Sequence, residues 1–237
     1  MSASIAELRA LLAQRFPDSS AGVLPDHDLV CSGIATLDAL VGGGLRPGTV
    51  TLLSGGMSSG KTSLALAFAS QLSRSQKAVA WLHSGSFSAP SAAHGGLDLD
   101  FLLQVQVQSM KQSQRCLDIL LREAAFPLVV TDWCWPSDGG SAWQRIRTLL
   151  SGSRSALLVV SPPLTEAATL RFLAAIHLHV VRPWPEDSRL ELIEVFLQKS
   201  RFGASGGRVQ LSYGNACGPF ALCAEMPGLG QEWNLQG

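Results

Sequence analysis

At 237 residues the chain has room for one large domain with short extensions. Apolar residues make up 46% and charged residues only 15%, enough to fill a substantial core beneath a lightly charged surface. The formal net charge of zero removes the counterion-release drive of strong DNA binders, five cysteines without C-x-x-C or metal spacing read as reduced thiols, and no apolar run is long enough to span a bilayer, so a cytoplasmic chain is expected.

Ile5, Leu8, Leu11 and Leu12 recur at helical spacing, which predicts a short amphipathic helix over residues 4–16. One stripe fits two roles, docking on its own domain or serving as an arm for a partner or for self-assembly. Residues 17–25, broken by Pro, Ser and Gly, read as a linker. From residue 33 strands and helices alternate: strands are expected at 49–54, 78–83, 103–107, 128–132 and 156–161, helices at 62–73, 111–124, 141–150 and 165–175. Short apolar strands between longer helices imply a mostly parallel sheet flanked by helices on both faces. Residues 177–182, 190–199 and 208–213 follow with turns between them and suggest an antiparallel C-terminal extension. The expected fold class is α/β, with 1–29 as helix and linker, 30–213 as the core domain, and 214–237, rich in Gly, Pro and Asn, as a loose tail.

The motif that carries chemistry is 55–62, Gly-Gly-Met-Ser-Ser-Gly-Lys-Thr, set between an apolar run and a helical stretch. This is G-x4-G-K-[ST] in strand–loop–helix context, the phosphate-cradling P-loop. A triphosphate needs many donors held close. Gly55 and Gly60 let the backbone turn tightly and aim its N–H groups inward. The following helix adds its free amides and positive dipole end. Lys61 would reach the β/γ-phosphates and the Thr62 hydroxyl would ligate Mg²⁺. The candidate nucleotide site is therefore Gly55, Gly56, Ser58, Ser59, Gly60, Lys61, Thr62 and Ser63, with ATP and Mg²⁺ as ligands. The alternative is a degenerate loop that no longer binds nucleotide. Asp132 ends an apolar strand, where a carboxylate can hold Mg²⁺ through water, joining Thr62 as a metal-side residue. An ordinary strand-end or capping aspartate fits the same position.

Further segments carry a resemblance. They are Ser32-Gly33-Ile34, Leu37-Asp38, Gly42-Gly43-Gly44-Leu45 and Gly48 ahead of the loop; 96–103, Gly-Leu-Asp-Leu-Asp-Phe-Leu-Leu; 128–132, Leu-Val-Val-Thr-Asp; and 170–178, Leu-Arg-Phe-Leu-Ala-Ala-Ile-His-Leu. In that order and spacing, from about residue 30 to 213, they resemble the RecA-like recombinase core. The chain is shorter than a recombinase. Within the superfamily it looks most like ImuA, a RecA-like accessory of SOS-induced translesion synthesis in bacteria. The other reduced branch, the cell-division inhibitor SulA, usually lacks an intact phosphate loop.

The resemblance also implies working parts that are missing. Recombinases place a Glu just after the second strand to orient the attacking water; here 80–86 reads Ala-Trp-Leu-His-Ser-Gly-Ser, without an acid. His83 is either a substitute base or a strand-end histidine with a structural partner. Losing a positioned general base costs roughly 10²–10⁴-fold in rate. The polar γ-phosphate sensor after the fifth strand is replaced by Ser161-Pro162-Pro163. Of the two lysines that reach a neighbour's ATP, the first position is Leu197 and the second Lys199, which is either half of that trans site or a plain surface lysine. Both DNA-loop positions are short. Trp133, Trp135 and Trp143 cluster with Arg145 and Arg147 and fit buried core, a protein interface or base stacking. His177 and His179 share one strand face, without further metal ligands in view.

These features imply an accessory protein with a retained nucleotide loop and weak or no ATPase. Its expected partners are an ImuB-like inactive Y-family polymerase homologue and RecA, with an error-prone replicative-type polymerase and clamp engaged indirectly, weak or no direct DNA binding, and no membrane. Two alternatives stand beside it: a DNA-stimulated ATPase of the recombinase type, and a SulA-like inhibitor of cell division.

Overall fold

The computed structural model describes residues 29–85, 87–123, 125–132, 140–161, 168–183, 192–203, 205–213 and 222–224. The helix expected at 4–16, the linker at 17–25, and Trp133, Trp135, Pro162 and Pro163 lie outside these residues. Nine strands form one sheet in the order β3-β2-β4-β5-β1-β6-β7-β8-β9. β1 (Val50–Ser54), β2 (Val79–His83), β4 (Leu128–Thr131) and β5 (Ala156–Val160) are buried along their whole length. Continuous burial is what a parallel strand covered on both faces requires, and it explains their unbroken apolar runs. β3 (Leu102–Gln106) is the outer parallel strand, and its exposed Gln104 and Gln106 mark it as an edge.

Each sheet face carries its own core. On one, α2 (Lys61–Arg74) packs Leu64, Ala65, Phe68 and Leu72 against Leu53, Val130, Leu158 and Leu178. These helix residues recur at helical spacing, and the Ala- and Leu-rich sequence favours helix on its own. On the other, α4 (Met110–Glu123) and α5 (Gly140–Ser151) bury Leu117, Leu121, Trp143, Ile146 and Leu150 against Leu52, Val129 and Val159. Trp143 is thus core, at 4% exposed.

One expectation needs correction. The strand at 177–182 does not belong to the antiparallel set alone. β6 (Ile176–Val181) lies parallel to β1, with Thr51 opposite Ile176, and antiparallel to β7 (Leu192–Ser200). The reason is connectivity. β6 follows β5 through the helix α6 (Ala168–Leu173), and a helical crossover delivers a parallel strand. Chain reversal begins only after it, with β7, β8 (Arg208–Tyr213) and β9 (Leu222–Ala224). β9 lies inside the stretch expected as a tail.

Two short helices stood outside the expectations, α1 (Ala35–Leu40) and α3 (Ala89–His94). Asp38 in α1 accepts the backbone N–H groups of Ser32 (2.7 Å) and Gly33 (3.2 Å) and the Ser32 hydroxyl (2.8 Å). That fastens the Ser-Gly-Ile turn to the start of the domain. Val30 and Leu45 then exchange backbone hydrogen bonds across the glycine run. Among the described residues no helix is long and apolar enough to cross a membrane.

Candidate functional site

β1 ends at Ser54 and the chain turns through residues 55–60 into α2. Gly60 caps the helix with a left-handed backbone, φ 95°. A Cβ there would meet the Ile193 side chain at 2.8 Å and the Tyr213 hydroxyl at 3.1 Å. Gly55 adopts φ 151°, and a Cβ on it would lie 2.2 Å from the Val180 carbonyl oxygen. The loop is therefore braced from behind by β6, β7 and β8, one contact from each. Tyr213 also donates its hydroxyl hydrogen to Ser63 Oγ at 3.0 Å, tying β8 to the first turn of α2. Sequence reasoning missed Val180, Ile193 and Tyr213. Only the demand of Gly55 and Gly60 for a close neighbour hinted at them.

The front of the loop is open. Gly56, Met57, Ser58 and Thr62 are exposed, while Ser59 is buried. Lys61 folds back over the loop, donating from Nζ to Gly55 O at 2.9 Å, to Gly56 O, and to Ser59 Oγ at 3.3 Å. Burial lowers its pKa from the ordinary lysine value. The donor set fits a polyphosphate: two close-approach glycines, a lysine at the loop centre and an exposed threonine hydroxyl at a helix start.

Asp132 follows β4 at the same edge of the sheet. β5 separates β4 from β1, which puts Asp132 two strand spacings, about 10 Å, from the loop strand. Its Oδ1 accepts the Ser84 N–H at 3.1 Å. Burial raises its carboxyl pKa, opposed by the Ser84 hydrogen bond and by His83.

His83 occupies the end of β2, 2% exposed. Its Nδ1 lies 2.6 Å from Gly85 O and its Nε2 lies 2.8 Å from the Gln104 side-chain nitrogen. A carbonyl only accepts, so Nδ1 carries the proton and Nε2 receives one from Gln104. Both nitrogens are committed to the protein, and neither is free to take a proton from water.

The comparisons with known proteins agree on the scaffold. The RecA N-terminal domain family matches residues 21–135. RecA of Rippkaea orientalis is 33% identical over 106 residues, 44% of this chain and 30% of that protein. RecA of Nostoc punctiforme is 36% identical over 106 residues, with the same two shares. The match thus spans about a third of the length of these curated relatives. The crystal structure of the RadB recombinase superposes with a TM-score of 0.69 at 22% identity, covering 84% of this chain and 100% of the other. The core is similar in fold to the RadB recombinase, and its N-terminal part is similar to the RecA N-terminal domain.

In this core Lys199 is not free. It sits on β7 and donates to Arg171 O (2.8 Å) and Phe172 O (2.9 Å), the last turn of α6, where Arg201 adds a bond to Phe172 O at 3.2 Å. Cations at a helix C-terminus satisfy orphan carbonyls and complement the dipole. Burial lowers the Lys199 pKa, with help from Arg201. Leu197 packs into the core. Ser161 is buried at the end of β5, its N–H donated to Leu53 O at 2.8 Å.

His177 and His179 do share a face, and Ser54 lies between them. Ser54 Oγ is 2.7 Å from His177 Nε2 and 3.0 Å from His179 Nδ1. One hydroxyl donates to one ring and accepts from the other, directly before the phosphate loop. Burial, then the positive charges of Arg171, His179 and Lys199, push the His177 pKa down to about 4. At neutral pH it is an uncharged hydrogen-bonding group. Among the described residues no cluster of three metal-ligating side chains exists.

Proposed function

We propose that this RecA-like chain is an accessory protein of SOS-induced translesion DNA synthesis, of the ImuA kind. In this reading it binds an ImuB-like inactive Y-family polymerase homologue and RecA, and it limits RecA filaments. The carrying observation is the contrast between loop and base: the phosphate loop is braced and open, while His83 at the end of β2 has both nitrogens committed. Gly55, Gly56, Ser58, Ser59, Gly60, Lys61 and Ser63 would hold the phosphates of ATP, with Thr62 and Asp132 on the Mg²⁺ side. Bound Mg²⁺ would neutralise phosphate charge. Lys61 must exchange its loop carbonyls for phosphate oxygens, and among the described residues neither nitrogen of His83 is free to take a proton from water. Nucleotide then stabilises an interaction module rather than driving a motor.

The test is ATP binding and turnover by the purified chain with Mg²⁺, with and without single-stranded DNA, beside Lys61→Ala, together with RecA filament length at substoichiometric chain. Expected are Lys61-dependent binding, negligible DNA-independent turnover and shortened filaments. DNA-stimulated turnover abolished by Lys61→Ala would instead make the chain an active recombinase-type ATPase. Unchanged filaments, with capture of a tubulin-like division protein, would favour the SulA-like role.

A further inference from the structure

The sheet face opposite α2 is covered by α4 and α5, and a groove of about 290 Å³ runs between them. A cavity of about 150 Å³ holds a benzene ring, so this groove admits one large apolar side chain. Its floor is apolar: Ile146 is 3% exposed and Leu149 is half-buried beside it. Its rim is cationic. Lys111 and Arg115 lie one turn apart on α4, and Arg145 faces them from α5. The acid in this lining, Asp118, is already shared by Arg145 at 3.2 Å and Arg122 at 3.1 Å. Lys111 and Arg115 have no carboxylate partner among the described residues. On a chain of zero net charge this is a local positive excess around an apolar slot. Like charges one turn apart repel, and an incoming anion would relieve that repulsion.

We propose that the α4–α5 groove is a docking site for an acidic protein segment that inserts one large apolar side chain between the helices. The carboxylates would pair with Lys111 and Arg115 while the anchor covers Ile146 and Leu149. Nucleic acid fits less well. Asp118 stands in the lining, where it would repel a phosphate, and the described lining holds no aromatic residue on which a base could stack. None of the groove's lining residues belongs to the phosphate loop. The proposal rests on the reading that this chain works by binding proteins, and it names where and to what chemistry.

The test is selection of random dodecapeptides displayed on phage against the full chain, followed by fluorescence anisotropy on the double variant Lys111→Glu/Arg115→Glu. Expected is enrichment of Asp and Glu flanking a Leu, Phe or Trp, with affinity about tenfold or more weaker in the double variant and falling with salt. The conservative pair Lys111→Arg/Arg115→Lys should keep binding, and an unchanged melting temperature excludes a folding effect. Selected peptides without acidic bias, or bound equally by the double variant, would overturn the proposal. So would a labelled oligothymidine that binds the wild-type chain and is lost in the double variant when no peptide is. Filament and nucleotide assays judge the wider reading separately, so either can fail alone.

Discussion

Gly55→Ala is the sharpest perturbation of the phosphate loop. The added Cβ would sit 2.7 Å from Ser59 Oγ and 2.2 Å from the Val180 carbonyl oxygen, the latter about 1 Å inside contact distance. The neighbour is a paired strand of the central sheet, so no flexible side chain can swing away. Relief means parting the loop from β6 or moving Gly55 out of φ 151°. Overpacking of this kind costs about 1–3 kcal/mol, and an alanine held at such a φ adds about 1–3 kcal/mol. A total near 3 kcal/mol lowers the melting temperature of a domain this size by roughly 6–12 °C. Gly56→Ala supplies the control one residue on, because its Cβ would meet nothing within 4 Å. Thermal unfolding followed by circular dichroism, without nucleotide, compares the two. If Gly55→Ala melts within about 2 °C of Gly56→Ala, the brace behind the loop is not as described.

His177 gives a pH signature. Its folded pKa, about 4, lies below its unfolded value of 6.5, so protons favour the unfolded chain. Its contribution is complete above pH 6.5 and is lost as pH falls from there toward 4. Each unit of difference is worth about 1.4 kcal/mol. Urea midpoints at pH 7 and pH 5 should converge between wild type and His177→Asn as pH falls; parallel curves would remove this account. For His83→Ala the expectation is a loss of about 2 kcal/mol, since Gly85 O and the Gln104 amide lose their partner, while ATP turnover stays at its basal level. A turnover that falls with His83 would make it a base after all.

The central strands were legible in the sequence within a residue or two because burial on both faces leaves an unbroken apolar run. Leu52 and Val129 could hardly be anything else. α1 and α3 were not, since six residues are too few to show a period. The tight turn between β1 and α2 was legible from its glycine spacing. Its brace was not, because Ile193 and Tyr213 lie more than 130 residues beyond Gly60 and only sheet order brings them there. The pairing of His177 and His179 on one face followed from strand geometry, whereas Ser54 between them required the β1–β6 register. Lys199 looked like a nucleotide contact or a surface lysine; its bonds to the end of α6 follow from the sheet placing β7 beside that helix.

The brace behind the loop also sets a timetable. During synthesis the Gly-rich motif leaves the ribosome well before its neighbours Val180, Ile193 and Tyr213, the last more than 130 residues behind it. At about 5–20 residues per second the wait is on the order of ten seconds. Through that interval the motif is a solvated strand end with nothing to hold Gly55 or Gly60 in their closed-packed conformations. The phosphate affinity proposed above would therefore be a late acquisition of the nascent chain, switched on when the sheet closes around the loop. A ribosome-bound fragment ending before β6 would carry the whole motif and still lack its back wall.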